Sequence, residues 1–530
     1  MFFYYERFEL NYVFFDMARS GISPGPMDLF SIATAVPITF AVAAASTPLA
    51  SPFRAATAAA GVAGLLTVAI CAGAFVFPGL PWGLAGVGQP MLLLVTAIAA
   101  VIIRYSSLYL QQDPGQRRFV RWLLATLSAV TLLITSNHLL IIGLAWGAVS
   151  LSVHRLLLYF PNRPQAQIAA HKKFLVSRLA DVSLTGALVL IWLEIGSLDI
   201  EAVNGWRGPE GMAPASLQLA AVLLVLAVAL KSAQLPFHGW LTQVMEAPTP
   251  VSALLHAGVV NIGGFLMVRL APFMSQAPVA QLLLVIIGTT TAVVAALVMT
   301  TRVSVKVALA WSTCAQLGFM LVECGLGAWD LAMLHLVAHS LYKAHAFLGS
   351  GSAVDAWRVR SISPASALIP LGLVALGSGI VAGGFAVAIA MGVRLEPRTL
   401  PLMLLLGFSV ATLLARSLGQ GPAGLKAFAL RGLGLTVIFL GWHALAGQLF
   451  AMPAGQPMLT ATWLVASGGF ALLFVVERVL HARPHGSLAR ALQPRLFAGL
   501  YLDELFTRMT FWLWPPKRRA AGFVSNAFGR

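Results

Sequence analysis

Charge is scarce in this chain. Of 530 residues only 10% are Asp, Glu, Lys or Arg, against 59% hydrophobic. A water-soluble domain carries about 25% charged residues, so a soluble globule of this size is excluded. Acidic residues are the scarcer sign, 18 against 34 Lys and Arg, for a net charge of +16. In a soluble protein that balance would suggest nucleic acid. Here it fits the collection of Lys and Arg in the cytoplasmic loops of a membrane protein, and no nucleic-acid partner is expected. Cysteine is nearly missing. Cys71, Cys314 and Cys324 lie in or near apolar runs and none forms a CxxC pair, which argues against a disulfide framework, a structural zinc site or an iron–sulfur cluster. No GxxxxGK[ST] phosphate loop is present, and no nucleotide site is expected.

What the chain has instead is apolar runs of about twenty residues, the length that spans a bilayer as a helix. The runs are continuous rather than alternating, so helices are expected rather than a barrel. Spans are read at 29–48, 57–77, 90–110, 119–136, 138–160, 173–194, 216–235, 250–271, 279–300, 304–324, 329–350, 364–392, 399–416, 424–447 and 460–480. The expected architecture is an all-α polytopic membrane protein of about 14–15 helices. Residues 1–28 read as an N-terminal lead-in, 29–480 as the transmembrane part and 481–530 as a basic tail. That tail is too charged to span and reads as an amphipathic helix on the cytoplasmic face or a docking segment. Loops with Arg54, with Arg117, Arg118 and Arg121, and with Arg163, Lys172 and Lys173 alternate with nearly uncharged ones. The basic loops are expected inside and the acidic 195–215 loop outside; the loop with Arg394 and Arg398 breaks the pattern.

One stretch departs from this oil. "KSAQLPFHGWLTQVMEAPTPVSALLHAG", residues 231–258, holds a lysine, two histidines, a glutamate and three prolines. Proline breaks a helix, and broken helices are tolerated in membranes where they line protein or a cavity, a pointer to ion sites. A lysine there costs about 2.5–3.5 kcal/mol on insertion scales. Lys231 is therefore read as functional, with Glu246 as its candidate partner. His256 follows among small and apolar neighbours. Lys306 stands near the start of a span, where snorkelling to the interface is the alternative. In "DLAMLHLVAHSLYKAHAFLGSGSAVDA", His335, His339 and Lys343 recur every fourth residue and form one stripe on a helix. Imidazole accepts a proton on one nitrogen and releases from the other. Zinc ligation by the two histidines lacks the HExxH glutamate and a third ligand; a structural polar seam is the other reading. Asp181, Glu323, Asp330 and Asp355 are the remaining acidic candidates.

These motifs, with "VKVALAWSTCAQLGFM" and "HLVAHSLYKAHAFLGSGS", resemble the antiporter-like subunits of respiratory complex I and of multisubunit cation/proton antiporters. The resemblance covers roughly residues 90–355. It implies two inverted repeats with broken helices. Two departures matter. Those relatives carry a glutamate after the tryptophan of the fifth span, where this chain has Gly147, and an ionisable residue in the second broken helix, where "LGLVALGSGIVAGGFAVAIAM" has none. With "SVHRLL" and the tail "LFAGLYLDELFTRMTFWLWPP", these departures resemble the membrane subunits of the bacterial DAB inorganic-carbon system. That second resemblance implies an energy-coupling subunit of an inorganic-carbon uptake complex in the bacterial inner membrane, conducting protons or another cation. It implies a large zinc-containing DabA-like partner resembling a β-type carbonic anhydrase, with catalysis and zinc there and no cofactor in this chain. Carried over by motif, the expected path is Lys231 as switching site, Glu246 as its modulator, and His256, Lys306, His335, His339 and Lys343 as extensions. His154 with Arg155 is expected near the partner. The alternatives are a cation/proton antiporter or complex I-type pump, and a non-conducting scaffold for a catalytic partner.

Overall fold

The computed structural model describes residues 32–47, 51–76, 86–208, 212–352 and 460–515, with five single positions between 430 and 441. The expected spans at 364–392, 399–416 and 424–447, the lead-in 1–28, and the Arg394 loop lie outside the described residues. Within them the chain is helical and follows the hydropathy. Helices run α1 (Ala35–Ser46), α2 (Pro52–Val76), α3 (Gly88–Tyr109), α4 (Gln116–Thr135), α5 (Leu139–Leu157), α6 (Pro164–Ile195) and α7 (Ala215–Lys231). After a break come α8 (Thr249–Ala257), α9 (Ile262–Arg269), α10 (Pro278–Met299), α11 (Val305–Gly325) and α12 (Trp329–Leu348). The last three are α13 (Thr460–Ala482), α14 (Ser487–Phe497) and α15 (Leu502–Leu513). Among the described residues nine stretches are long and apolar enough to cross a membrane, counting α8 and α9 as one.

Helices rather than strands form because each long run satisfies its own backbone in lipid. Several connections among the described residues are short turns, at 110–115, 136–138, 158–163, 300–304 and 326–328, so those neighbours run antiparallel. The starts of α2, α4, α6 and α11 share one end of the bundle, and Arg54, Arg117, Arg118, Arg163, Arg302 and Lys306 stand there. The bundle closes through small residues. Where α10 crosses α11, a methyl group on Gly318 would lie 2.7 Å from the Gly288 carbonyl oxygen and 2.8 Å from the Ala292 nitrogen. Small side chains are what let membrane helices approach this closely.

The break after α7 is where sequence and site meet. α7 ends at Lys231 and Ser232 caps it. Ala233 takes a left-handed φ of +51° and Pro236 follows, lacking the N–H that would continue the helix. A turn at Gly239–Thr242 and a 3₁₀ turn at Val244–Glu246 lead to Pro248 and the new helix α8. Freed backbone groups find side chains. The Leu235 N–H donates to Thr291 Oγ1 at 3.2 Å. A second interruption at Val259–Asn261 is held by Asn261 Nδ2, which donates to Ser340 Oγ on α12 at 2.7 Å and to the Ala257 carbonyl at 3.1 Å.

Candidate functional site

Lys231 is the last residue of α7, beside the partial negative charge of that helix end, which favours a cation. Its side chain is 4% exposed and Nζ lies 2.6 Å from Asp181 Oδ1 on α6. The ammonium also sits 4.5 Å from the ring centre of Trp146 on α5, a favourable cation–π distance. Asp181 is shared: Arg178 Nη2 approaches its other oxygen at 2.7 Å. Lys173, one side of α6 toward the basic end, is buried and donates to the Ser150 carbonyl at 2.9 Å, within electrostatic range of Lys231 and Asp181. One carboxylate thus sits among three cations.

The expected Lys231–Glu246 pairing does not occur. Glu246 lies beyond the break, and its carboxylate faces Arg163 Nη1 at 3.7 Å with both side chains about half exposed. The cause is the break itself: the turn at Gly239–Thr242 and the 3₁₀ turn carry Glu246 to the basic surface while Lys231 stays inside. Asp181 supplies the carboxylate from the neighbouring helix. Its signal in the sequence was an acidic residue inside an apolar span. Gly147 follows Trp146 as the sequence says, and open space adjoins its Cα.

Further buried polar side chains stand at the two breaks and on α12. Ser232 is 2% exposed and packs on Gly263; Asn261 and Ser340 are fully buried and bonded to each other. The stripe stands on α12 with Ser340. Lys343 is fully buried, and its Nζ donates to the Leu309 carbonyl at 3.0 Å and to Ser312 Oγ. His256, also fully buried, stacks on Phe347 at 4.2 Å. His339 is buried one turn from Lys343, with its ring 6.1 Å from that of His335. His335 Nδ1 and Glu323 Oε2, from α11, are 2.8 Å apart. Among the described residues neither ring nitrogen of His256 or His339 has a hydrogen-bond partner. The i, i+4, i+8 spacing does place His335, His339 and Lys343 on one face, and Glu323 extends the row toward the far end of the bundle. Lys306 is half-buried at the start of α11 and donates to Thr249 Oγ1 at 2.9 Å, so it braces the first turn of α8.

The tail is not merely laid on the surface. Asp503 of α15 pairs with the fully buried Lys172 Nζ at 2.6 Å. Trp514 stacks on His171 at 4.0 Å, and the His171 Nδ1 and the Trp514 carbonyl are 3.1 Å apart. His154, expected with Arg155 near a partner, is buried inside the chain, with Nδ1 3.1 Å from the Ala170 carbonyl and its ring 6.0 Å from that of Trp514. No local pattern announced Asp503, because its partner is 331 residues away.

The comparisons agree with this architecture. Residues 136–372 match the family "NADH:quinone oxidoreductase/Mrp antiporter, TM". Among solved structures, the chain superposes on the Mrp complex from Dietzia with a TM-score of 0.55 at 24% identity, over 91% of this chain and 57% of that one. It superposes on respiratory complex I from Thermus thermophilus with a TM-score of 0.52 at 19% identity, over 89% and 99%. These likenesses establish the antiporter-like fold. Among curated proteins, a "Probable inorganic carbon transporter subunit DabB2" of Halothiobacillus neapolitanus is 40% identical over 82% of each chain. A "Probable inorganic carbon transporter subunit DabB" of Hydrogenovibrio crunogenus is 41% identical over 82% of this chain and 84% of that protein. At that identity and coverage, the chain belongs to the DabB family of inorganic carbon transporter subunits.

Proposed function

We propose that the chain is the energy-coupling membrane subunit of an inorganic-carbon uptake complex of the bacterial inner membrane. It conducts protons, or another cation, and so drives carbon dioxide and bicarbonate accumulation by a zinc-containing, carbonic-anhydrase-like DabA-type partner. The observation that carries this reading is the Lys231–Asp181 pair at a helix break, in one bundle with the buried Asn261–Ser340 bond and the row Lys343, His339, His335 and Glu323. Ionisable groups inside a membrane are costly and mark ion pathways. Lys231 is the switching site, His256, His335, His339 and Lys343 extend the path, and Lys306 holds the start of α8. Glu246 acts at most at the mouth, through Arg163. The basic end faces the cytoplasm.

The energetics suffice. A proton falling through about 150 mV releases roughly 3.5 kcal/mol. At about 1.4 kcal/mol per tenfold, that sustains a concentration ratio of roughly 300-fold. The test is Lys231→Ala in an otherwise intact complex, with labelled bicarbonate accumulation measured in cells with and without a protonophore. The conducting reading requires normal assembly and loss of the protonophore-sensitive accumulation. Accumulation that persists at normal assembly makes the chain a scaffold and removes the proposal.

A further inference from the structure

We infer that Asp503, in the C-terminal helix α15, is a further proton-path group: the carboxylate at the basic end that exchanges protons with the buried Lys172 beside the break that follows Lys231. The inference rests on the conducting reading above. Three observations carry it.

The first is the contact set. Asp503 Oδ2 accepts from Lys172 Nζ at 2.6 Å, from Gln243 Nε2 at 2.9 Å and from Thr507 Oγ1 at 3.3 Å. These join the tail to α6 and to the break that follows Lys231. The second is exposure. The side chain of Lys172 is 0% exposed and that of Lys231 4%, whereas that of Asp503 is 24% exposed. Within the Lys172–Asp503 pair Asp503 is the exposed member, as Asp181, at 25%, is in the pair with Lys231. The third is the fit. A methyl group at Gly239 would overlap the Asp503 carboxylate, so the break is shaped to admit the acid. His238 beside it is fully buried and within electrostatic range of Asp503 and Lys172.

A tail that only anchored the chain would need an apolar face and nothing more. α15 has one, with Leu505 and Trp512 exposed at 79% and 82%. Its opposite side buries Phe506 against Phe237, ring centres 5.6 Å apart, and delivers Asp503 inward. The step is a plain proton transfer. A protonated Asp503 gives its proton to a neutral Lys172 amine, leaving carboxylate and ammonium; the reverse returns it, and no other reactant is consumed.

The experiment separates a relay from a fastener. Asp503→Asn/Lys172→Met removes both members of the pair, so no buried charge is left unpartnered. The relay predicts a complex that assembles in the membrane while protonophore-sensitive uptake of labelled bicarbonate falls roughly tenfold or more. Normal uptake in that double variant overturns the inference. Should the double variant fail to accumulate, Asp503→Asn alone decides: lost uptake at normal assembly supports the relay, and retained uptake overturns it. Lys231→Ala is run alongside. Loss there with normal uptake in the double variant removes Asp503 and leaves the conducting reading standing; uptake in both removes the reading itself.

Discussion

The two ends of the candidate path hold their cations differently. Around Lys231 every buried ammonium is matched by a carboxylate or a carbonyl: Asp181 for Lys231, Asp503 for Lys172, the Ser150 carbonyl for Lys173. Around Lys343 the partners are the Leu309 carbonyl and Ser312, the carboxylate of that region, Glu323, sits on His335 two turns away, and the imidazoles of His256 and His339 have no hydrogen-bond partner among the described residues. A paired site holds its charge until the pair is opened. An unpaired imidazole passes a proton on, since one nitrogen accepts while the other releases. The rings of His335 and His339 stand 6.1 Å apart, a gap that one bridging water or a side-chain rotation closes. In the proposed path the first region would gate and the second conduct.

The hardest blow to that contrast is Asp181→Asn. It leaves the Lys231 ammonium buried without its counter-charge, and removing one partner of a buried pair costs about 3–5 kcal/mol. Both the amount of complex in the membrane and bicarbonate uptake should drop sharply, read by immunoblot and by labelled accumulation. Asp181→Asn/Lys231→Met should bring the protein level back without bringing back uptake. Unimpaired uptake in the single variant would mean that this pair is not the gate.

Lys343→Met should behave in the opposite way. Its partners are neutral, so the substitution removes a buried charge without orphaning a carboxylate, and such swaps are often neutral or stabilising. Thermal stability of the complex should hold or rise, while uptake falls. His339→Phe is expected to act alike, with conduction lowered by about a hundredfold if the ring transfers protons in the rate-limiting step. A large loss of thermal stability in either variant would erase the distinction between the two regions.

Much of this was legible in sequence, and the failures share a cause. Twelve of the expected spans fall on helices among the described residues, and nine of these are long and apolar enough to cross a membrane, because span length is fixed by bilayer thickness. The stripe His335, His339, Lys343 was legible because helix periodicity is local. Partnership was not. Lys231 lies fifty residues from Asp181, and Lys172 lies 331 from Asp503; both pairs are made by helix packing, which periodicity does not encode. Glu246 drew attention because it is near Lys231 along the chain. The geometry of the break, not the distance in sequence, decides which carboxylate faces inward.

Glu246→Gln is accordingly the mildest of the changes. Its ion pair with Arg163 is long, at 3.7 Å, and both side chains are about half exposed. An exposed pair of this kind contributes no more than about 1 kcal/mol and is screened by salt. Arg163 keeps its bond to the Glu246 carbonyl at 3.4 Å whichever side chain is present, so the turn into α8 retains one of its two ties. Assembly and bicarbonate uptake should both stay at the wild-type level. A marked loss of uptake with assembly intact would show that the titrating carboxylate for Lys231 is reached across the break after all, and the gate would then have to be moved from α6 to the loop.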